Sequence, residues 1–273
     1  MLFFSFGVSA QELYVSTEPA SNMATGSIGL RLNTKFFKMR HDGKYTYRLD
    51  PEIMIGASKK LMMHINVYGS DMYQPGFRVE GASLYGKYRF LSLDDVHSHF
   101  RMAAFGKISM ISNPAVLQAD GKYYHSDEID IDGNNSGFSA GVVTTQLSHK
   151  MAFSSSASFV NRMVNLNGVK DPGQSTNAIN YTLSGGYLFL PRVYSNYRQT
   201  NFNLYFELIG SSALDKKAYY IDAAPAIQFI FNSIARLDIS YRAQIAGNMQ
   251  RLSENYFLLR LEYNLLNIFT NRK

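Results

Sequence analysis

Charged side chains alternate with apolar ones over much of the last part of the chain. Arg236, Asp238 and Arg242 follow this spacing, and so do Arg260 and Glu262. Guanidinium groups attract anions and present paired hydrogen-bond donors to carboxylates and phosphates, whereas carboxylates between them partly neutralise that field. Residues of these types at this spacing predict a surface that attracts and steers small anions.

Nucleophilic catalysis needs groups that this chain does not space correctly. Ser139 lies in a G-x-S-x-G pattern, but that motif requires a strand–turn–helix and here it opens a predicted strand. His125 and Ser126 are adjacent, so an extended backbone directs them to opposite faces. No His-x-Ser pair occurs in which a base would reach a hydroxyl on the same face. We therefore predict that the protein is not an enzyme and uses no cofactor.

Two stretches have the spacing of metal ligands. Asp95, His97 and His99 alternate, so a strand would direct all three to one face, where imidazoles can share a transition-metal ion. A polar turn explains the same residues. Residues 128–133 resemble the start of a calcium loop, but its twelfth position is Ser139 rather than Glu. A solvated acidic loop is the alternative there.

The charged residues need strands to position them. Successive side chains of a strand point to opposite faces, so residues 236–245 and 256–266 each have one apolar and one charged face. About ten residues with this period-two pattern match one strand of a membrane-spanning β-barrel. In such a barrel the apolar faces contact lipid and the charged faces line the lumen.

The same pattern recurs along the chain from Gly26. Connections after even-numbered strands are mostly short and those after odd-numbered strands mostly long, the longest being residues 111–136. Short periplasmic turns and longer extracellular loops are typical of outer-membrane barrels. We predict an all-β fold, a closed antiparallel transmembrane β-barrel of about twelve strands. The predicted strands are 26–38, 44–57, 60–69, 78–91, 98–110, 137–147, 150–160, 178–190, 201–211, 218–231, 234–246 and 255–267.

Four residues do not fit regular strands. Arg78 and Glu80 break the alternation, which predicts a β-bulge or a segment above the bilayer. Pro51 and Pro225 lie inside predicted strands, on the outward-facing parity. Since proline has no N–H to donate to a ladder, each is expected at a local interruption of the pairing.

The inward parity carries more basic than acidic side chains. The inward basic residues are Arg31, Lys35, Arg48, Lys87, Arg89, Arg101, Lys107, Arg236, Arg242 and Arg260, and the inward acids are Asp50, Glu52, Glu207, Asp222, Asp238 and Glu262. A lumen lined in this way favours anions. In a narrow barrel the same charges can instead pair across the interior and close it, and both alternatives remain open.

Composition narrows the possible partners. The chain has 273 residues, a formal net charge of +6 and no cysteine. The basic residues recur singly rather than in runs, which argues against nucleic acid as a partner. The absence of cysteine excludes disulfides and thiolate metal sites. Apolar runs such as residues 223–231 are far shorter than the ~20 residues of a membrane-spanning helix.

The start of the chain predicts export. Residues 1–10 have the apolar stretch and small-residue cleavage pattern of a signal peptide, although the basic region that opens such peptides is missing, so the signal is predicted to be truncated. Residues 11–25 are polar and without alternation, and we expect them to form a short periplasmic lead. Residues 26–269 then form a single barrel.

Architecture over residues 26–269 resembles the single-chain outer-membrane β-barrels of Gram-negative bacteria, and cleavage before Gln11 resembles Bacteroidota-type members. The resemblance implies a location in the outer membrane, in contact with its lipid, and a terminal aromatic such as Phe269 for assembly. Twelve-strand relatives with Arg-lined lumens include channels for acidic oligosaccharides. The resulting expectation is a passive channel favouring small anionic solutes. The alternative is a non-conducting barrel that anchors or stabilises an assembly with other envelope proteins.

Overall fold

A computed structural model describes residues 14–96, 98–115, 124, 126–168, 173–191 and 199–269. The signal-peptide prediction, residues 1–10, lies outside this part of the chain. Twelve strands form in it. They are β1 Ile28–Lys38, β2 Tyr45–Gly56, β3 Leu61–Ser70, β4 Arg78–Asp94, β5 Ser98–Ile111, β6 Gly137–Ser148, β7 Met151–Arg162, β8 Asn177–Leu190, β9 Asn201–Ala213, β10 Tyr219–Phe231, β11 Ala235–Gly247 and β12 Asn255–Leu265.

Each strand pairs antiparallel with its neighbours in sequence, and β1 pairs with β12 to close the sheet into a barrel. The predicted fold class is therefore confirmed. Every strand overlaps its predicted range; the largest difference is in β4, which continues to Asp94. The end of the barrel at which β2 joins β3 is called the short-turn end, and the opposite end the long-loop end. Phe269 lies beyond β12, which ends at Leu265.

The outer face of the barrel is apolar and exposed. Leu183 in the middle of β8 is 59% exposed, and Ile65, Leu84 and Val142 point outward at comparable depth in their strands. Their neighbours in sequence point inward and are largely buried. A continuous apolar belt of this kind is stable only against lipid. No helix of the described residues is long and apolar enough to cross a membrane.

The regular strand pairing is interrupted at Glu80, Pro51 and Pro225, as the sequence predicts. Tyr68 pairs with Gly81 and Gly69 with Val79, which leaves Glu80 as the extra residue of a β-bulge. The bulge turns the Glu80 side chain inward, where it is 1% exposed. Pro51 and Pro225 face outward in strands whose registers skip them on one side, so neither removes a required ladder hydrogen bond.

The interior of the barrel holds two segments that are not strands. Residues 14–22, the N-terminal segment, lie inside, with Tyr14, Val15 and Ala20 buried. Residues 126–136, the inner loop, enter from the long-loop end, with Ile129 and Ile131 buried against β7 and β8. Residues 14–22, which belong to the expected periplasmic lead over residues 11–25, thus lie inside the barrel. Their polar composition suits a polar barrel interior as well as solvent.

The outward face generates a prediction on stability. Leu183→Arg places a cation at mid-membrane depth and is expected to destabilise the barrel by about 2–4 kcal/mol. Leu214→Arg, an exposed position in the loop after β9, is the matched control and should cost about 0–1 kcal/mol, as near the membrane interface. Denaturant unfolding in lipid vesicles measures both. Equal losses for the two variants would contradict the assignment of the belt to lipid.

Candidate functional site

A row of alternating charges crosses the seam where the barrel closes. Arg31 on β1 lies directly opposite Glu52 on β2 and Glu262 on β12, and Glu262 lies opposite Arg236 on β11. Arg31 contacts Glu52 at 3.1 Å and Glu262 at 2.8 Å, and Arg236 contacts Glu262 at 3.0 Å. All four side chains are buried. Four consecutive strands are thus joined on the inside by ion pairs as well as by backbone hydrogen bonds.

A second polar row lies one inward position further along the same strands. Arg260 donates from Nε to Asn33 Oδ1 at 2.6 Å and lies 3.8 Å from Asp238, which also contacts Arg236 at 3.0 Å. Next to this row, Lys35 pairs with Asp50 at 3.1 Å. Buried charges need such partners, because an isolated charge in this environment carries a large desolvation cost.

At the long-loop end, the inner loop supplies acids to basic wall residues. Arg48 contacts Glu80 at 3.1 Å and Asp130 at 3.7 Å, and it donates to the carbonyl of Gly133 at 3.3 Å. Lys107 pairs with Asp132. The loop therefore folds inward and narrows the lumen, which is the conformation expected to constrict a pore.

A further cluster joins the inner loop to the connection between β11 and β12. Asp222 accepts from Arg242 Nε at 2.6 Å and from Arg251 Nη1 at 2.9 Å. Arg251 also pairs with Glu128 at 3.1 Å, and its guanidinium lies 3.8 Å from the centre of the Tyr220 ring. Cation–π contact adds to the ion pairs here, so Arg251 connects two long loops to the wall.

The N-terminal segment is held by one buried carboxylate. Glu207 accepts hydrogen bonds from the backbone N–H groups of Val15 at 2.9 Å, Ser16 at 2.7 Å and Thr17 at 2.9 Å, and from the Thr17 hydroxyl. Successive backbone N–H groups that converge in this way form an anion-binding nest. The nest therefore supplies most of the hydrogen bonds to this carboxylate on β9, and the Ser184 hydroxyl donates a further one at 3.3 Å.

Apolar contacts anchor the same end of the segment. Tyr14 and Val15 pack into a cluster with Tyr205 and Leu258, and the rings of Tyr14 and Tyr205 meet edge to face at 5.6 Å. The inner faces of β6 to β8 carry small residues here, including Ala152. These small side chains leave the room that a peptide chain inside the barrel requires.

Basic wall residues hold the rest of the segment. Lys87 donates to the carbonyls of Pro19 at 2.6 Å and Ser21 at 2.7 Å, and Arg101 donates to the Ser21 hydroxyl at 2.7 Å. Glu18 pairs with Arg31 at 3.0 Å and approaches Lys87 at 3.9 Å. The segment is therefore bonded to opposite sides of the wall.

Three carboxyl groups on the inserted segments have shifted pKa values. Burial tends to raise the pKa of Glu18, but Arg31 and Lys87 outweigh it and lower that pKa from 4.5 to about 2. Burial and the neighbouring Asp132 raise the pKa of Asp130. Burial opposes ionisation of Asp132 as well, yet Lys107 and Lys35 lower its pKa. Glu18 and Asp132 are thus held as anions by the basic wall.

Between the two inserted segments lies a cavity of about 370 Å³. Its two sides differ in chemistry. Lys35, Arg242 and Arg260 line one side, whereas Ser156 and Thr182 are among the hydroxyl residues on the other. The N-terminal segment covers the cavity toward the short-turn end and the inner loop covers it toward the long-loop end. The volume is that of a small-molecule site rather than of an open pore.

The structure places the predicted lumen residues on the inner side of the wall, in separate clusters. Arg89 lies at the short-turn rim, where it donates to the carbonyl of Lys59 at 2.8 Å. Arg101 reaches both Ser21 and Asp94 near the same rim. The remaining predicted residues take part in the seam rows, the contacts to the two inserted segments or the Asp222 cluster described above.

The predicted metal ligands do not meet in the described residues. His97 lies outside that part of the chain, and His99 contacts Asp94 at 2.8 Å rather than Asp95. No group of three His, Cys, Asp or Glu side chains among the described residues has metal-binding geometry. The acids of the calcium-like loop contact arginine and lysine side chains, as described above for the inner loop.

Sequence reasoning missed several interior charges, namely Glu18, Glu80, Glu128, Asp130, Asp132 and Arg251. Of these, Glu80 carried a signal, since it broke the strand alternation, and residues 128–132 alternate acidic and apolar side chains inside the long loop. Glu18 and Arg251 lie in segments without periodicity. A weaker signal for an inserted chain was present in Ala152, Ala226 and Leu258, apolar residues on the inward parity of their strands.

Many solved structures match this chain, and two of them illustrate the shared fold. The NanC porin matches with a TM-score of 0.53 and 13% identity, over 86% of this chain and 100% of the porin. An outer-membrane channel from Pseudomonas putida F1 matches with a TM-score of 0.60 and 9% identity, over 92% of this chain and 100% of that channel. No protein-family model matches the chain, and no curated protein sequence does. The fold is thus that of Gram-negative outer-membrane β-barrels.

The Glu207 contacts predict how the N-terminal segment is held. Glu207→Ala removes the acceptor of several charge-assisted hydrogen bonds, each worth about 1.5–3 kcal/mol. Amide hydrogen exchange of residues 15–17, followed by mass spectrometry in detergent, should accelerate by more than about tenfold, since each 1.4 kcal/mol is a factor of ten. Glu254→Ala, which removes an exposed ion pair with Arg40, is the control and should leave this exchange unchanged. Unaltered exchange in Glu207→Ala would contradict the docking geometry.

Glu18 predicts a pH dependence of the same docking. Its pKa is about 2 in the docked segment against an ordinary 4.5. Because the docked pKa is the lower one, the contribution of Glu18 is fully present above pH 4.5 and is lost as the pH falls toward about 2. Exchange protection of residues 15–21 should fall over this window, and Glu18→Gln should flatten that fall. An identical pH profile in Glu18→Gln would contradict the prediction.

Proposed function

We propose that the protein is an outer-membrane channel whose lumen is closed by the N-terminal segment and the inner loop and, when these withdraw, admits small anionic solutes. The Gram-negative outer membrane is the location that the lipid-facing belt and the fold support. The Bacteroidota-type assignment depends on the first residues of the chain and stays a prediction.

One observation carries the proposal: the wall and the inserted segments have opposite charge. On the strands, inward basic side chains outnumber inward acids even when Glu80 is included. The acids that compensate this excess lie on the removable parts, namely Glu18 on the N-terminal segment and Glu128, Asp130 and Asp132 on the inner loop. Withdrawal of either part therefore exposes a wall that favours anions.

The alternative, a non-conducting scaffold, accounts less well for the same features. A permanent plug needs no ion pairs that depend on a separate chain segment, and apolar packing of similar volume is often as stable as buried ion pairs. The cavity between the two inserted segments is also lined by the cationic side chains of Lys35, Arg242 and Arg260. A channel with an entrance and an exit that close separately accounts for both features.

Planar-bilayer recording with a salt gradient tests the proposal. We expect the full chain to show small or infrequent openings, and a variant lacking residues 11–22 to show larger, steady conductance with an anion-selective reversal potential. In that background, Arg236→Ala combined with Arg242→Ala should reduce the anion preference, because two cations leave the wall.

Arg40→Ala is the matched control, since Arg40 lies exposed at the rim, paired with Glu254. It should leave selectivity unchanged. Electrically silent barrels from both the full chain and the variant lacking residues 11–22, with native heat-modifiable migration on gels, would reject the channel and favour the scaffold. Unchanged selectivity in the Arg236 and Arg242 double variant would reject the role of these residues in the lumen.

A further inference from the structure

Three thioethers gather at the short-turn end, where the N-terminal segment joins β1. Met54 on β2 and Met62 on β3 point inward and are 3% and 4% exposed. Met23 follows the N-terminal segment, and its backbone N–H donates to Met62 Sδ at 3.3 Å. The sulfur of Met62 is thereby turned toward Met23.

Two glycines make room for this group. Gly29 lies opposite Met54 in the ladder, and the methyl carbons of Met54 and Met23 both reach the space that a side chain on Gly29 would fill. Gly56 lies opposite Met62, and Met23 Cγ lies 3.0 Å from where a Cβ of Gly56 would be. The three side chains therefore share one cradle at the base of the N-terminal segment.

A histidine lies on the same inner face beside them. His64 is the cross-strand partner of Met54 and stands two residues after Met62. Its Nδ1 hydrogen-bonds the carboxylate of Glu52, and its Nε2 is buried without a hydrogen-bond partner in the described chain. An ionised carboxylate only accepts, so Nδ1 carries the proton and the lone pair of a neutral ring is on Nε2. A carboxylate that orients a histidine in this way is the usual outer shell of a metal-ligating imidazole.

We propose that Met23, Met54, Met62 and His64 bind a soft monovalent metal ion, Cu(I) or its analogue Ag(I). Thioethers are soft ligands that select Cu(I) over hard cations, and a cysteine-free chain offers no thiolate in their place. All four ligands are neutral, which suits a single positive charge in a buried site. The ion would tie Met23, and with it the N-terminal segment, to β2 and β3.

Metal titration of the full chain in detergent tests the site. Ag(I) alone is the redox-stable probe, followed by calorimetry, and Cu(I) is measured under reducing, anaerobic conditions against a chromogenic Cu(I) chelator. Met54→Leu combined with Met62→Leu keeps the side-chain volume and should weaken binding by more than about tenfold. X-ray absorption of the Cu(I) form should show sulfur neighbours together with a nitrogen neighbour.

Met63→Leu is the matched control, because Met63 adjoins Met62 in sequence but faces outward and is 36% exposed. It should bind both ions like the unaltered chain. His64→Gln should remove the nitrogen neighbour from the absorption spectrum and retain the sulfur neighbours. Equal affinity in the Met54 and Met62 double variant, or no saturable Ag(I) binding by the folded full chain, would overturn the proposal. Either result would leave the proposed channel function unaffected, because conductance tests that function separately.

Discussion

The barrel depends on the charge row that joins its first and last strands. A closed sheet has to select one register for β1 on β12, and backbone hydrogen bonds alone do not distinguish among registers. A slip of one residue would turn the outward apolar face inward, which the lipid-facing pattern forbids. A slip of two residues keeps the faces but would place Arg31 opposite Arg260 in one direction and opposite Asn264 in the other, instead of opposite Glu262. The first slip brings two guanidiniums together and the second removes the ion pair, so the positions of the charges favour the observed closure.

The same row determines what the interior must contain. Charges buried in a narrow barrel need compensation, because the desolvation cost of each is several kcal/mol. The strands alone do not supply enough acids, and the balance comes from Glu18 and from the inner loop. The charges that close the barrel therefore also determine what fills it, because a wall with excess basic charge stabilises acidic segments inside it. The cavity that remains lies where neither segment reaches the wall between Lys35 and Arg260.

The strands were predictable from sequence and the inserted segments were not, for a physical reason. Each strand has lipid on one side and polar groups on the other, which imposes a period of two on its sequence. The face on which a residue such as Leu237 or Asp238 lies can therefore be predicted from its sequence neighbours. Glu80 was recognisable as a bulge because it broke that period. Residues 14–22 have no period to break, and their position is set by Glu207, a partner far away in sequence. Backbone N–H groups make those bonds, and any residue type except proline supplies them.

The two inserted segments differ in how they can leave. The inner loop continues directly into β6, and its pairs with Arg48, Lys107 and Arg251 oppose its withdrawal. Among the described residues, the N-terminal segment leads along the chain into β1. Its far end is held by the Glu207 nest and its near end by the contact between Met23 and Met62. Withdrawal from the short-turn end therefore requires those contacts to break together with the bonds from Lys87, Arg31 and Arg101, the bond from Ala20 to Thr145 and the packing of Tyr14 and Val15 against the wall.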